Sequence, residues 1–276
     1  MKWKVAICQE IFGAVSFETC CEKASRLGYD GIELAPYIFT NDIRELSRDS
    51  IEEVLATAAR HGLELPAMHW LLSSPEGMSI TSPDPAVRGK TMAFARALVD
   101  FAARVGVGVL VFGSPKQRNI DPSWHRYEAI QRGIAFLNEM ARACETRGIV
   151  IGFEPLGPSV TNFGATVAEA VDIIDRVASP ALQLHLDVKA LLSEPVSICE
   201  VIARVKGRFV HFHANDANML GPGMGSVDYR PILHTLENIR YTGWISVEIF
   251  RTDVDSSEIA AKSIAYLKEL RVFFNV

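Results

Sequence analysis

Four segments in the second half of the chain alternate apolar and polar positions with a period of two. Ile149, Ile151 and Phe153 alternate with Val150, Gly152 and Glu154, and Leu182, Leu184 and Leu186 with Gln183, His185 and Asp187. Val210 and Phe212 alternate with Phe209, His211 and His213, and Ile245 and Val247 with Trp244, Ser246 and Glu248. Successive side chains of a strand point to opposite faces, so each segment reads as a strand with one aliphatic face. The other face ends, in each case, in a group able to bind a metal: Glu154, Asp187, His213 and Glu248. The stretch RFVHFHAND, Arg208–Asp216, places two imidazoles on one side of a buried strand, where their polar atoms require partners.

The rest of the pattern supplies the neighbours of these strands. Strands are predicted over Lys2–Gln9, Gly31–Leu34, Leu65–His69 and Val107–Phe112, the last a near-continuous apolar run suited to a parallel sheet. Helical spacing covers Phe17–Leu27, after Ser16 as N-cap, and Ile51–His61, where Ser50 and Glu53 have capping-box spacing. Further helices are predicted over Ala86–Arg104, Pro122–Arg147, Thr166–Val177, Val196–Val205, Tyr229–Ile239 and Ser256–Leu270, with Asp228 as the N-cap of the seventh. The remaining strands are Ile149–Glu154, Leu182–Asp187, Phe209–His213 and Ile245–Glu248. These eight strand–helix units run without linker composition between them. They argue for the α/β class and a single (β/α)₈ TIM barrel spanning residues 1–276, with an open doubly wound sheet as the alternative. The loop Trp70–Pro85, rich in Ser, Pro and Gly, is long enough to imply a job such as covering a site. GPGMG at Gly221–Gly225 reads as a mobile loop and lacks the continuation of a phosphate-binding loop.

Composition narrows the function classes. The 276 residues are 49% apolar, which supports a large core, and the net charge of −5 gives no basic footprint for nucleic acid. No apolar run reaches membrane-spanning length, and the N-terminal MKWKVAICQE enters a strand pattern directly, so neither a membrane span nor a signal peptide is expected. The five cysteines are odd in number, scattered and without CxxC spacing, which fits reduced thiols in a cytoplasmic protein.

In barrels of this kind the active site lies at the C-terminal ends of the strands. Glu154, Asp187, His213 and Glu248 end the fifth to eighth strands and should converge there. Three clustered carboxylates repel one another unless a proton or cation intervenes. One divalent ion bound by three oxygens and one nitrogen answers that need: Mn²⁺, Mg²⁺ or Co²⁺ are favoured, and Zn²⁺ is compatible. The plainer reading makes these residues helix caps or members of internal ion pairs.

Particular motifs now bear on the question: GYDGIEL at Gly28–Leu34, GFEPL at Gly152–Leu156, LHLD at Leu184–Asp187, HFHAND at His211–Asp216, and GMGSVDY at Gly223–Tyr229 leading to YTGWISVEIF at Tyr241–Phe250. Through them the chain resembles the xylose-isomerase-like barrel superfamily, and within it the group of D-tagatose 3-epimerases, hydroxypyruvate isomerases and inosose dehydratases. The resemblance spans most of the chain and is strongest from Gly148 onward. It implies that Glu154, Asp187, His213 and Glu248 hold one divalent metal, and that Glu154 and Glu248 form an acid/base pair on opposite faces of the substrate. The implied reaction is isomerisation or epimerisation of a small sugar or related polyhydroxy carbonyl compound through a metal-bound enediolate. Relatives often assemble as dimers or tetramers, so a homo-oligomer is compatible, although no interface is legible.

Two positions depart from the group. Its epimerases carry a histidine three residues after the metal Asp, where this chain has Ala190, and an arginine six residues after the metal His, where it has Met219. Lys189 could replace one lost contact or act as an acid at a leaving oxygen, with a solvated loop lysine as the plain alternative. This leaves a carbon–oxygen lyase, dehydrating a keto-sugar or keto-cyclitol, as the rival activity. His69, Glu33, Asn215 and Asp216 are candidate substrate contacts. Against them stand a structural histidine, an internal ion pair for Glu33, and turn chemistry for the other two. His185 and His211 are read as supports one layer below the metal residues, and Trp70 and Phe250 as a candidate apolar wall. Two other classes fit the chain less well. An abasic-site endonuclease assembles three zincs from many histidines, and this acidic chain has only 7. A catalytically silent binding barrel would have no need to keep all four ligands.

Overall fold

The computed structural model describes residues 3–251 and 255–273. Eight strands are present: β1 (Val5–Cys8), β2 (Gly31–Glu33), β3 (Ala67–Met68), β4 (Val109–Phe112), β5 (Val150–Phe153), β6 (Leu182–Asp187), β7 (Phe209–Ala214) and β8 (Ile245–Val247). They form one sheet in the order β2-β1-β8-β7-β6-β5-β4-β3. The first strand has both edges occupied, by β2 and by β8, in parallel register with Ala6 opposite both Gly31 and Ser246. Pairing of the first strand with the last is the mark of a barrel order, and the open doubly wound alternative is set aside.

The long helices are α1 (Phe17–Leu27), α2 (Arg48–Arg60), α3 (Pro85–Val105), α4 (Arg126–Glu145), α5 (Val167–Val177), α6 (Ile198–Arg204), α7 (Tyr229–Asn238) and α8 (Ser256–Phe273). Their starts follow the sequence: Ser16, Asp84, Thr166, Ser197 and Asp228 each accept a backbone N–H of the first turn. The start of α2 differs from expectation. Ser47 accepts the Ser50 N–H, so the helix begins at Arg48 rather than after Ser50. Glu53, expected to close a capping box, instead accepts from Thr57 and Arg60 further along the helix. Short helical turns at Gln9–Phe12, Pro36–Phe39, Ile43–Glu45, Pro115–Arg118 and Val188–Leu191 were not anticipated, being too short to show a period.

The chain comprises two compact units. The first takes the chain through Leu34, Glu53–Pro66 and everything from Leu186 onward. Its interior includes fully buried Ile7, Ile32, Leu34, Phe212 and Val247, together with Cys20, Cys21 and Ala24 of α1. The second takes Ala35–Glu52 and Ala67–His185. Here Phe112 packs against Phe136 and Phe153, and Phe153 meets Phe163 edge-on, so β4, β5 and α4 share one aromatic core. Among the described residues no helix is long and apolar enough to cross a membrane.

Candidate metal and acid–base site

Three of the four predicted metal residues lie together in the first unit. Asp187 ends β6, His213 lies one residue before the end of β7, and Glu248 immediately follows β8. The backbone N–H of Glu248 donates to Ala214 O at 3.1 Å, which carries the parallel ladder one step beyond the strand and fixes where this carboxylate begins. All three side chains are buried, and one ligand atom from each falls within 4.8 Å of the others. His213 Nδ1 lies 3.1 Å from Glu248 Oε2. Asp187 accepts from the Ala190 backbone N–H at 2.8 Å and from Asn215 Nδ2 at 2.5 Å, so its carboxylate is aimed by groups on both sides.

The charges in this cluster do not balance among themselves. Burial and the neighbouring charge of Glu248 push the Asp187 carboxyl up to about 6. For His213 burial works to lower the pKa, but the carboxylates of Glu33 and Glu248 outweigh it and hold the imidazole well above its ordinary value. A set that can ligate with two carboxylates and an imidazole, and that strains to hold its negative charge, fits a divalent cation.

Beneath this layer lies Glu33, at the end of β2. It is fully buried, Oε1 accepting from His213 Nε2 at 2.9 Å and Oε2 from His211 Nε2 at 2.8 Å. Burial opposes its ionisation, yet the two imidazoles hold its carboxyl well below the usual range. The expectation of Glu33 as a sugar-hydroxyl acceptor gives way to the alternative of an internal ion pair, because the side chain has no exposed surface. His211 shares the same edge with Ser246 Oγ at 3.2 Å. These contacts place it one layer down, as read from the sequence.

Asn215 and Asp216 are likewise fully buried and spend their polar atoms internally. Asn215 holds Asp187 with its amide nitrogen and the Lys189 backbone N–H with its oxygen, at 2.8 Å. Its carbonyl accepts the hydroxyl of Tyr229 at 2.6 Å. Asp216 Oδ1 accepts N–H groups of Ala217, Ser226 and Val227, tying both ends of the following loop. Turn chemistry, the alternative to substrate contact, therefore describes Asp216. The same loop was expected to be mobile, yet it is packed. A Cβ at Gly223 would meet the ring of Tyr266 at 2.5 Å, and one at Gly225 would meet Asp216 Oδ1 at 2.2 Å. Those glycines serve close approach to α8 and to the loop's own anchor. Lys189, in the turn Val188–Leu191, sets its ammonium 4.8 Å from the ring centroid of Phe250, which is 36% exposed.

Glu154 is described within the second unit. Its backbone N–H donates to Phe112 O at 3.2 Å, extending the β4–β5 ladder as Glu248 extends the other. Its carboxylate lies 3.9 Å from His185 Nε2. A Cβ at Gly113 would sit 2.5 Å from Glu154 Oε2, so only glycine there leaves this carboxylate its place. His69 is buried directly after β3, and Trp70 next to it (φ 53°) meets Tyr37 edge to face with ring centroids 6.3 Å apart. The sequence reading missed Arg118, a fully buried guanidinium that donates to Glu154 O at 2.7 Å, to Phe112 O at 3.4 Å and to Thr161 Oγ1 at 3.3 Å. It also lies over the Phe153 ring at 4.9 Å. Burial pulls it down to about 10 against the opposing charge of Glu154. It clamps the ends of β4 and β5 at the point where Glu154 emerges. Arg118→Ala leaves two strand-end carbonyls and a hydroxyl without their charged donor. It is expected to cost about 3 kcal/mol, roughly 5–10 °C in melting temperature, checked by thermal unfolding of the two proteins side by side.

A parallel (β/α)₈ order, with a buried carboxylate–imidazole cluster at C-terminal strand ends, defines the class as a TIM barrel. A family model described as the xylose isomerase-like TIM barrel matches residues 21–270, and the chain belongs to that family. The D-psicose 3-epimerase of Enterocloster bolteae is 24% identical over 233 residues, covering 83% of this chain and 75% of that protein. The L-ribulose 3-epimerase of Methylomonas sp. is 24% identical over 267 residues, covering 89% and 88% respectively. A crystal structure of D-psicose 3-epimerase in the presence of D-fructose superposes with a TM-score of 0.85 at 22% identity, over 97% of this chain and 99% of that one.

Proposed function

We propose that this chain, as a single barrel domain, is a divalent-metal-dependent epimerase of a ketose or closely related sugar. The observation that carries the reading is the buried convergence of Asp187, His213 and Glu248, with one ligand atom of each within 4.8 Å of the others. The named relatives, all ketose 3-epimerases among those described above, support the same activity. Glu154, at the equivalent strand end, is proposed as the fourth ligand. Mn²⁺, Mg²⁺ or Co²⁺ suit such a set, and Zn²⁺ is compatible. When bound, the ion supplies Lewis-acid polarisation of a carbonyl and its neighbouring hydroxyl.

The protein's own part is proton transfer. Each of Glu154 and Glu248 has two oxygens, so one can serve as ligand while the other faces the substrate carbon. One carboxylate takes the proton from the carbon beside the carbonyl, leaving an enediolate on the sugar. The other returns a proton to the opposite face, inverting that centre. Asn215 and Glu33 keep Asp187 and His213 in place during the transfer, and burial of the cluster excludes water. The free thiols of all five cysteines fit a cytoplasmic setting.

The lyase reading keeps one specific observation in its favour. Lys189 follows Asp187 by two residues and sets its ammonium over the Phe250 ring, and from there it is the candidate acid for a departing hydroxyl. One experiment separates the two. The Mn²⁺-loaded protein is incubated with D-fructose and D-psicose in D₂O and the products are read by NMR and ultraviolet absorbance. Epimerisation yields the inverted ketose with one deuterium at the carbon next to the carbonyl and no new absorbance. An ultraviolet-absorbing dehydration product from these or from keto-cyclitols would transfer the assignment to the lyase. A protein that retains no metal after Mn²⁺ or Co²⁺ loading would remove the basis for both.

A further inference from the structure

Glu33 has an arrangement that no substrate role explains. It is fully buried, and its two oxygens divide between two histidines two residues apart on β7. Because strand side chains alternate, His211 and His213 project from the same face, with ring centroids 5.4 Å apart and planes at 79°. One carboxylate bridging both rings fixes their rotation. It also settles the two nitrogens of His213: Nε2 is engaged by Glu33 Oε1, and Nδ1 is the one directed at Glu248 Oε2. An imidazole whose one nitrogen donates a hydrogen bond to a carboxylate leaves the other as the nitrogen a metal can take in place of a proton, with the ring pre-oriented for it.

We infer that Glu33 is a positioning residue: it holds the Nε2–H tautomer of His213, and with it His211, so that His213 Nδ1 is the nitrogen offered to the ion. His211 is the buttress of this device, sharing its Nε2 edge between Glu33 and Ser246 and keeping the carboxylate from swinging away. The inference rests on the metal reading for its consequence. Its structural core, the Glu33–His213 Nε2–H hydrogen bond, is testable without any ion.

The test uses the full chain, wild type and Glu33→Gln, labelled with ¹⁵N in histidine. In metal-free wild type, a low-field, slowly exchanging Nε2–H resonance of His213 is expected, and it is lost in Glu33→Gln. With Zn²⁺ as a diamagnetic probe, Nδ1 of His213 shifts on binding while Nε2 keeps its proton. In Glu33→Gln the Kd for Mn²⁺, measured by competition with a chromogenic chelator, rises about 10–100-fold. Circular dichroism and melting confirm that the variant is folded. A folded variant that binds Mn²⁺ within twofold of wild type overturns the inference. So does a wild-type spectrum in which Nε2, rather than Nδ1, is the nitrogen that shifts with Zn²⁺. Should Glu33→Gln fail to fold, the wild-type spectra alone decide. Should wild type bind no metal, the metal reading falls, and the presence or absence of the Nε2–H resonance still decides the role of Glu33.

Discussion

Glu154→Gln and Glu248→Gln are each expected to lower kcat/KM for ketose epimerisation by about 10²–10⁴-fold, the usual worth of a positioned acid or base. The amide is close in size to the carboxylate and keeps an oxygen for the ion, but it cannot accept the substrate's proton. The two variants should not fail identically. If each carboxylate serves one face, the variant retaining Glu154 still exchanges the hydrogen of the epimer that presents its C–H to Glu154. It does so without forming product, because no partner returns a proton on the other side. The variant retaining Glu248 does the same with the opposite epimer. Incubating each variant with each epimer in D₂O, with metal content measured in parallel, reads this directly. Washout from both epimers in both variants would mean that one residue serves both faces, and residual activity within tenfold of wild type would displace both from the role.

The reason these residues could be named from sequence is that a strand's period of two is visible in the chain itself. Leu182, Leu184 and Leu186 against Gln183, His185 and Asp187 disclose both the strand and the end where its polar face stops. The same holds for β7 and β8. Boundaries were less legible where short polar residues compete: Ser47 and Ser50 both suit a cap, and only the position of the first turn chooses between them. The partners of the named residues were harder still. Glu33 reads as a strand-end carboxylate like Glu154 or Glu248, and nothing in GYDGIEL says that two histidines from β7 will occupy its oxygens. Asp216 likewise lies next to metal-site residues in sequence, but its acceptors face the loop it closes. Arg118 carries no local signal at all, since a lone arginine after a strand is ordinarily solvated. Its burial comes from the carbonyls that β4 and β5 leave at their ends. Gly113 is the one missed position with a usable hint, a glycine directly after the apolar run of β4.

Metal affinity should fall steeply with acid, and its slope follows from which groups hold protons in the metal-free cluster. Asp187 is pushed up to about 6 by burial and by Glu248, so it is a carboxylate at neutral pH and takes a proton as the pH drops through that value. For His213 the carboxylates of Glu33 and Glu248 outweigh burial, so the metal-free ring takes a proton more readily than a free imidazole does. Binding an ion at Nδ1 therefore displaces any proton that nitrogen carries, and below about pH 6 one from Asp187 as well. The apparent affinity for Mn²⁺ is expected to fall as the pH drops, most steeply below about 6, where Asp187 also holds a proton. Titration calorimetry in buffers of different ionisation enthalpy counts the protons. A release that grows as the pH is lowered from 7.5 to 5.5 is the expected result, whereas no release at either pH would mean that neither group holds a proton before the ion arrives. The sign for the metal-free fold is separate and partly opposed. The raised Asp187 binds protons more tightly folded than unfolded, so its contribution to stability declines as the pH rises from about 4 to about 6. Glu33, held low by its two histidines, contributes stability above its unfolded value that is lost only as the pH falls through its depressed one. The cost of the ionised Asp187 is thus complete above about pH 6, and a divalent ion bound beside it relieves that cost.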